Sequence, residues 1–322
     1  MTPASRLLVA VLGPTGCGKS ALAIALARRY DGEVVSCDSA AVYRRFDIGT
    51  DKVRPEDRQG IRHHLIDVAD PTDEYTAARF ARDAAAAIED IGSRGRLPVL
   101  AGGTGFYFRA LTRGLFPGPP RDQALRDRLA AVADRRGAPF LHRMVARVDP
   151  PSAARIQPRD LVRLVRALEV YFLTGTPLTA HFAATAPPLP GLRTVALFVD
   201  VPQAQLDERI ARRVDEQLRR GLLDEVRGLL ASGVPEAARP FGSLGYRQAL
   251  EHLRGLRGEA ETRELVARET RQYSRRQLIW FRKEPNLITI PGPGELSVAL
   301  DRASRVIDRA LGRAEAGGEE RS

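Results

Sequence analysis

The sequence predicts an α/β fold, a parallel sheet flanked by helices, on three observations. Short apolar stretches end in glycine or aspartate, stretches with helical spacing separate them, and a glycine-rich loop follows the first, which is unbroken. A run that is apolar throughout suits a strand buried on both faces, as in a parallel sheet covered by helices. Leu7 to Leu12 is the first such run and ends at Gly13-Pro14, after which Ser20 to Tyr30 has helical spacing. Glu33 to Cys37 ends in Asp38, Leu97 to Ala101 in Gly102-Gly103, and Thr194 to Val199 in Asp200. Strands that alternate with helices imply parallel connections. Helices resume from Gln205, and Leu287 to Ile290, before Pro291-Gly292-Pro293-Gly294, reads as a last strand.

Between the third and fourth runs lies a long helical stretch bracketed by Pro117-Gly118-Pro119-Pro120 and Pro187-Pro188-Leu189-Pro190, which read as domain borders. The expected organisation is a core in two parts, 1–118 and 187–312, a mainly helical insert at 119–186, and a polar, disordered tail at 313–322. The insert holds 11 Arg against six Asp or Glu.

Hydrophobic residues make up 43% of the 322 and charged ones 28%, which excludes wholesale disorder and collagen-like character. No apolar run is long enough to cross a bilayer and no charged-then-apolar leader opens the chain, so a cytoplasmic protein is expected. Two cysteines, Cys17 and Cys37, build neither a disulfide framework nor a zinc site. The net charge of +10 favours an anionic partner, nucleic acid first. The skew to 47 Arg over three Lys also fits a GC-rich coding sequence.

The strongest motif is Gly13-Pro14-Thr15-Gly16-Cys17-Gly18-Lys19-Ser20, which satisfies G-x-x-x-x-G-K-[ST] after a strand and at the opening of a helix. The fold is therefore P-loop NTPase-like. In such a loop, glycines let backbone N–H groups face phosphate oxygens, the helix N-terminus adds its positive end, Lys19 adds a point charge, and the Ser20 hydroxyl can ligate Mg²⁺. A chance glycine-rich turn would lack the flanking strand and helix. Cys17 reads as a small loop residue rather than a nucleophile, because no histidine motif accompanies it.

Asp38-Ser39-Ala40-Ala41-Val42-Tyr43 follows the second strand, at whose carboxyl end a side chain faces the same crevice as the P-loop. Asp38 can act there as a general base or hold magnesium through water, or Asp38 or Ser39 can merely cap a following helix. Gly102-Gly103-Thr104-Gly105 brings a hydroxyl and exposed amides to the crevice, though such runs are commonly only tight turns. Arg268, Arg271, Arg275 and Arg282 fall on one helical stripe, and Tyr273 and Trp280 on another. A nucleic-acid grip and a solvated basic face with core aromatics both fit that pattern. His63 and His64 lack metal-ligand spacing and read as structural.

With these blocks in order, the chain resembles the tRNA dimethylallyltransferases. The resemblance runs from the P-loop through Asp38 to Tyr43, Asp47-Ile48-Gly49-Thr50, His63-His64-Leu65-Ile66-Asp67 and Gly102 to Gly105. It continues through Arg163 to Tyr171 (RLVRALEVY), Arg212 to Asp215, Gly242 to Gln248 (GSLGYRQ) and Arg275 to Arg282 (RRQLIWFR). The chain departs from the family at Ala41, where Gln or another larger residue is common, at Asp51 (Ala), Arg159 (Asn) and Gln217 (Met).

The resemblance implies transfer of a dimethylallyl group from dimethylallyl diphosphate to the exocyclic amino nitrogen of the adenosine immediately 3′ of the anticodon. It implies Mg²⁺ as cofactor and the tRNA anticodon stem-loop as partner; a monomer is expected. Asp38 would be the general base, Thr104 would orient the reacting groups, and Lys19 and Arg213 would neutralise the leaving diphosphate, with Gly13 to Ser20 cradling it and Ser20 on the metal. The tRNA contacts implied are Asp38, Ser39, Ala40, Ala41, Thr104, Arg126, Val162-Arg163-Leu164-Val165-Arg166, Gly242-Ser243-Leu244-Gly245-Tyr246-Arg247 and Arg275-Arg276-Gln277-Leu278-Ile279-Trp280-Phe281-Arg282. Two other classes use parts of the same equipment. A P-loop small-molecule or nucleotide kinase would use the same loop and Asp38, with Arg212-Arg213 as a phosphate lid, but leaves the basic surface unexplained. A nucleotide-switched RNA-binding protein would need a guanine-reading Asn-Lys-x-Asp motif, which is absent.

Overall fold

The computed structural model describes residues 7–116, 118–292 and 294–313, so the expected tail lies outside the described residues but for Arg313. The described residues fall into two compact units, one within Met1–Thr112 and Leu189–Ser322, the other within Arg113–Pro188. The second unit thus starts at Arg113, a few residues ahead of the proline bracket.

The first unit is a six-stranded sheet in the order β3-β2-β4-β1-β5-β6, with every neighbouring pair parallel. β1 (Leu7–Leu12) is buried at all six positions, because helices cover both faces. It feeds the glycine-rich loop and α1 (Lys19–Arg29), whose Leu22, Ala23, Ile24, Leu26 and Ala27 are buried. β2 (Gly32–Ser36) follows, and β3 (His63–His64) is a two-residue edge strand too short to leave a sequence pattern. α2 (Ala77–Ser93) starts where the Thr76 hydroxyl accepts the Arg79 amide, and packs on β2 and β4 (Leu97–Gly102). α3 (Gly105–Arg113) leaves the end of β4.

The second unit holds α4 (Gln123–Arg136), α5 (Ala138–Val148), α6 (Pro150–Arg155), α7 (Leu161–Thr174) and α8 (Leu178–Ala183). Aspartates 122, 149 and 160 cap α4, α6 and α7 by accepting the amide three residues on, as short acidic side chains do at helix starts. These helices close on their own core, which includes Leu129, Leu141, Val145, Leu164 and Leu168.

The chain then returns to the sheet through β5 (Arg193–Asp200) and adds α9 (Gln203–Arg219), α10 (Leu222–Ala231), α11 (Tyr246–Leu253), α12 (Glu259–Phe281), β6 (Leu287–Pro291) and α13 (Leu296–Leu311). The connection from β1 runs past β4 to β2, whereas the one from β4 runs past β1 to β5. That reversal opens a crevice at the carboxyl ends of β1 and β4, where ligands of open α/β sheets bind.

Candidate active site

Three loops meet in that crevice. Leu12 is in register with Gly102 and Ser36 with Ala101, so the chain leaves β1, β2 and β4 at one level. Beyond them the Thr104 amide donates to the Cys37 carbonyl at 3.2 Å, which draws Thr104 beside Asp38.

The loop after β1 turns into α1 through Gly18, whose φ of 89° lies in the left-handed region that costs glycine little. Lys19 Nζ donates to the Pro14 carbonyl at 3.2 Å, and Ser20 is exposed in the first turn of the helix. Cys17 is buried, and burial pushes its thiol up, so it stays protonated and inert. Two amides of the loop are engaged internally. Cys17 N–H donates to the Pro14 carbonyl at 3.3 Å, and Thr15 N–H to Gln277 Oε1 of α12 at 2.9 Å. Gln277 Nε2 in turn donates to the Gly103 carbonyl at 2.9 Å, so one buried side chain ties the loops after β1 and β4 together.

Asp38 caps no helix: residues 39–42 form turns. Its Oδ1 accepts the amides of Ala40 and Ala41 at 2.8 and 3.3 Å, and its Oδ2 has no hydrogen bond among the described residues. The Thr104 hydroxyl accepts the Ser39 amide at 3.1 Å and meets the Tyr273 phenol. Burial, reinforced by the Asp38 charge, pushes Tyr273 up to about 12, so the phenol keeps its proton.

α9 sets the opposite wall. Arg209, Arg213 and Gln217 are four apart and so share one face. Arg209 Nη1 donates to the Gly16 carbonyl at 3.3 Å, Arg213 Nη1 to Thr15 Oγ1 at 2.9 Å, and Gln217 Nε2 to the carbonyls of Ile48 and Gly49 at 3.1 Å each. Gln217 thus anchors the loop that carries Thr50 and Asp51. Asp51 Oδ2 lies 3.2 Å from Arg213 Nη1, and its Oδ1 lies 3.6 Å from Arg220 Nη1. The same loop is propped from below by Glu225, which accepts the Asp47 and Ile48 amides, and by Tyr246, whose hydroxyl accepts the Gly49 amide.

Two neighbouring spaces result, which share Asp38, Thr50 and Arg213 as lining. The larger, about 480 Å³, is also walled by Ser39, Ala40, Gly242 to Gly245, Arg247, Tyr273 and Arg276. The smaller, about 90 Å³, runs from Lys19 and Ser20 past Ala41 and Ala101 to Val34, Val53 and Ile66. Ala41 therefore faces the smaller space while its neighbours Ser39 and Ala40 face the larger. In front of the P-loop, Lys19, Ser20, Arg209, Arg212, Arg213 and Arg219, interspersed with Asp51, Asp215 and Glu216, border an open, mainly basic mouth.

Several side chains expected on the tRNA are instead internal. Tyr246 is fully buried against Glu225 and Gly49. Within 275–282, Gln277 serves the P-loop, Leu278 and Phe281 are core, and only Arg275, Arg276, Ile279 and Arg282 are exposed. Trp280 is packed under Gly105, where a Cβ would collide with its indole, and carries the Arg109 guanidinium 4.3 Å from its ring, so Tyr273 is the aromatic that reaches the cavity. In the second unit Leu164 and Val165 are core, whereas Val162 and Arg163 are exposed. Arg126 and Arg166 grip the carboxylate of Glu169, which is 0% exposed, at 2.7 Å each. Burial works to raise Glu169, but the two guanidiniums and the Asp122 amide outweigh it and hold the carboxyl at about 2. Arg209 and the linking role of Gln277 escaped the sequence reading. Arginines placed four apart repel on an isolated helix, and that spacing was the available signal for Arg209.

A carboxylate with an open oxygen, a threonine hydroxyl, a lysine and two arginines thus converge where the glycine-rich loop meets a cavity of about 480 Å³. The model of the IPP transferase family matches residues 41–284. The chain belongs to the IPP transferase family. It is 48% identical over 304 residues to a tRNA dimethylallyltransferase of Solibacter usitatus, spanning 93% of this chain and 99% of that one. It is 45% identical to that of Geobacter metallireducens, over 91% and 95%. Among solved structures, the tRNA isopentenylpyrophosphate transferase of Bacillus halodurans superposes with a TM-score of 0.70 at 33% identity, covering 96% and 98%. A eukaryotic dimethylallyltransferase acting on tRNA gives 0.77 at 27% identity, covering 94% of this chain and 78% of that one. These relatives give the kinase alternative no support. No helix among the described residues is long and apolar enough to cross a membrane.

Proposed function

We propose that the chain transfers a dimethylallyl group from dimethylallyl diphosphate to the exocyclic amino nitrogen of the adenosine immediately 3′ of the anticodon in tRNA, releasing diphosphate. The observation that carries this reading is Asp38, which borders both the nucleoside-sized cavity and the space beside Lys19 and Ser20, with Oδ2 open.

The chemistry follows from the placement. A base stacked in an RNA loop has to be drawn out to react, and the larger cavity, with Tyr273 and Arg276 on its wall, can take it. The amino lone pair is delocalised into adenine, so the nitrogen attacks poorly while it keeps both protons. Asp38 Oδ2 accepts one as the N–C bond to the allylic carbon forms and the C–O bond to diphosphate breaks. Thr104, fixed by the Ser39 amide, orients the reacting groups. Negative charge grows on the leaving diphosphate, where Lys19, Arg213 and the start of α1 stabilise it more as the bond breaks. Among the described residues no three His, Cys, Asp or Glu side chains form a metal cage. The Ser20 hydroxyl, which shares its space with Asp38, nonetheless fits Mg²⁺, which keeps waters and takes substrate phosphates as ligands, and which would add charge neutralisation at the diphosphate.

Incubation of tRNA with protein, Mg²⁺ and dimethylallyl diphosphate, followed by nucleoside mass analysis, is expected to yield prenylated adenosine without ATP. Asp38→Ala should lower single-turnover rate by about 10²–10⁴-fold with tRNA affinity by filter binding unchanged. A strict ATP requirement would reject the assignment, and near-normal turnover of Asp38→Ala would remove Asp38 as the base.

A further inference from the structure

Resting on that reading of the P-loop as a diphosphate site, we propose that Asp51 is a tethered anion that competes with the diphosphate for Arg213, so that it sets how tightly substrate and released diphosphate are held.

Asp51 is positioned for this role and for little else. It stands where the smaller cavity opens into the basic mouth, and Lys19, Ser20 and Arg213 border both spaces with it. Its carboxylate is the counter-charge of Arg213 at 3.2 Å, yet its side chain is 37% exposed, so leaving Arg213 requires no unpacking. Arg213 keeps its aim without Asp51, since Nη1 also donates to Thr15 Oγ1 and Nη2 to the Thr50 carbonyl at 3.4 Å. The aspartate has a second cation, Arg220 at 3.6 Å, to retain when a phosphate oxygen takes its place. Its backbone is held in the left-handed region, φ 53°, inside a turn closed by the Asp51 amide on the Ile48 carbonyl, with Gln217 and Glu225 fixing the preceding residues. The carboxylate therefore cannot drift away from the site when displaced.

The electrostatic consequence has one sign. A like charge a few ångströms from a diphosphate opposes its binding, and a half-exposed ion pair is weak enough to be exchanged rather than locked. Asp51 thus weakens ground-state binding of the anion and speeds its departure, while Arg213 stays oriented for the charge that develops during bond breaking.

The test uses inorganic diphosphate with Mg²⁺, titrated calorimetrically into the full chain and into Asp51→Asn, a near-isosteric change that tolerates positive φ. Asp51→Asn should bind diphosphate about 3- to 30-fold tighter, with a lower KM for dimethylallyl diphosphate and no gain in kcat. The gain should shrink with added salt and be smaller in Asp51→Asn/Arg213→Gln relative to Arg213→Gln alone, where only the direct repulsion is left to relieve. Equal or weaker binding by Asp51→Asn, or an undiminished gain without Arg213, would overturn the proposal while leaving the diphosphate site intact. If the unaltered chain failed to bind diphosphate with Mg²⁺, the reading of the P-loop would fall first, and this inference with it.

Discussion

Arg213 in the first unit and Arg126 with Arg166 in the second carry the same kind of partner, a carboxylate within about 3 Å, and the sequence reading placed all three on substrate. What separates them is the solvent around that partner. Glu169 is sealed and accepts both guanidiniums and the Asp122 amide, so removing either arginine strands part of a buried charge. Asp51 is in contact with water and can exchange its arginine for an incoming anion at small cost. An arginine is free for a phosphate when its carboxylate is replaceable, whatever its own exposure; the side chains of Arg213 and Arg126 are in fact similarly exposed, at 26% and 22%.

The sharpest way to break this contrast is at Arg213. Arg213→Gln should cut turnover by about 10²–10³-fold, the usual effect of losing one donor aimed at developing charge, while shifting tRNA affinity and melting temperature little. Single-turnover rates beside thermal unfolding separate the two. A variant that melted early with normal turnover would place Arg213 with Arg126 and Arg166 as scaffold.

Glu169 gives the reciprocal case. Its folded value, about 2, lies below the ordinary 4.5, so its contribution is complete above about pH 5 and is lost as pH falls from there towards 2. A depression of that size corresponds to about 3 kcal/mol of local stability. Protection from hydrogen exchange in α4 and α7, corrected for intrinsic rates, should fall across that window in the unaltered chain. In Glu169→Gln it should start low and stay flat. Parallel pH profiles in the two proteins would show that the arginines hold Glu169 too loosely to be scaffold.

The parts of this molecule legible in its sequence are those where one residue type answers one local need. Five of the six strands fall on apolar stretches, β1 without a break, and the P-loop is a fixed spacing of glycines before a lysine and a serine. Asp38 and Thr104 were legible because parallel strands present their carboxyl-end residues to one crevice. The unread parts depend on contacts across long stretches of chain. Nothing near Gln277 in sequence announces that it receives Thr15 N–H and donates to Gly103, and a motif shared with a family does not say which of its members face inward. The run 275–282 mixes Phe281 in the core with Arg282 at the surface, because a helix turns each successive residue by about 100°. Asp51, a departure from the family pattern, gained meaning only when α9 brought Arg213 and Arg220 to it.

The smallest expected effect extends the same rule to the surface of α12. Arg268, Arg275 and Arg282 are exposed and Arg271 half-exposed, on the side of the helix away from Val266, Thr270 and Gln277. Arg275 has a carboxylate nearby, Asp207 at 3.6 Å, but both side chains meet solvent, at 58% and 32%, so this pair belongs with Arg213–Asp51 rather than with Glu169. Such a pair contributes at most about 1 kcal/mol and leaves the guanidinium available to a phosphate. If the stripe meets the tRNA backbone, each arginine lost should lower the slope of log affinity against log salt by about 0.7–0.9, so Arg271→Gln/Arg275→Gln should lose about 1.4–1.8. Glutamine keeps the helix propensity, and circular dichroism checks the fold. The loss in affinity should be similar for tRNAs of different sequence, because phosphate contacts carry no base information. A slope that changed for Arg271→Gln alone would mean that Asp207 retains Arg275 against phosphate, and exposure of the carboxylate would then be too coarse a rule at this distance. An unchanged slope in the double variant would move the tRNA grip from α12 to other exposed arginines such as Arg163, whose partner Asp160, at 3.4 Å, is also open to solvent.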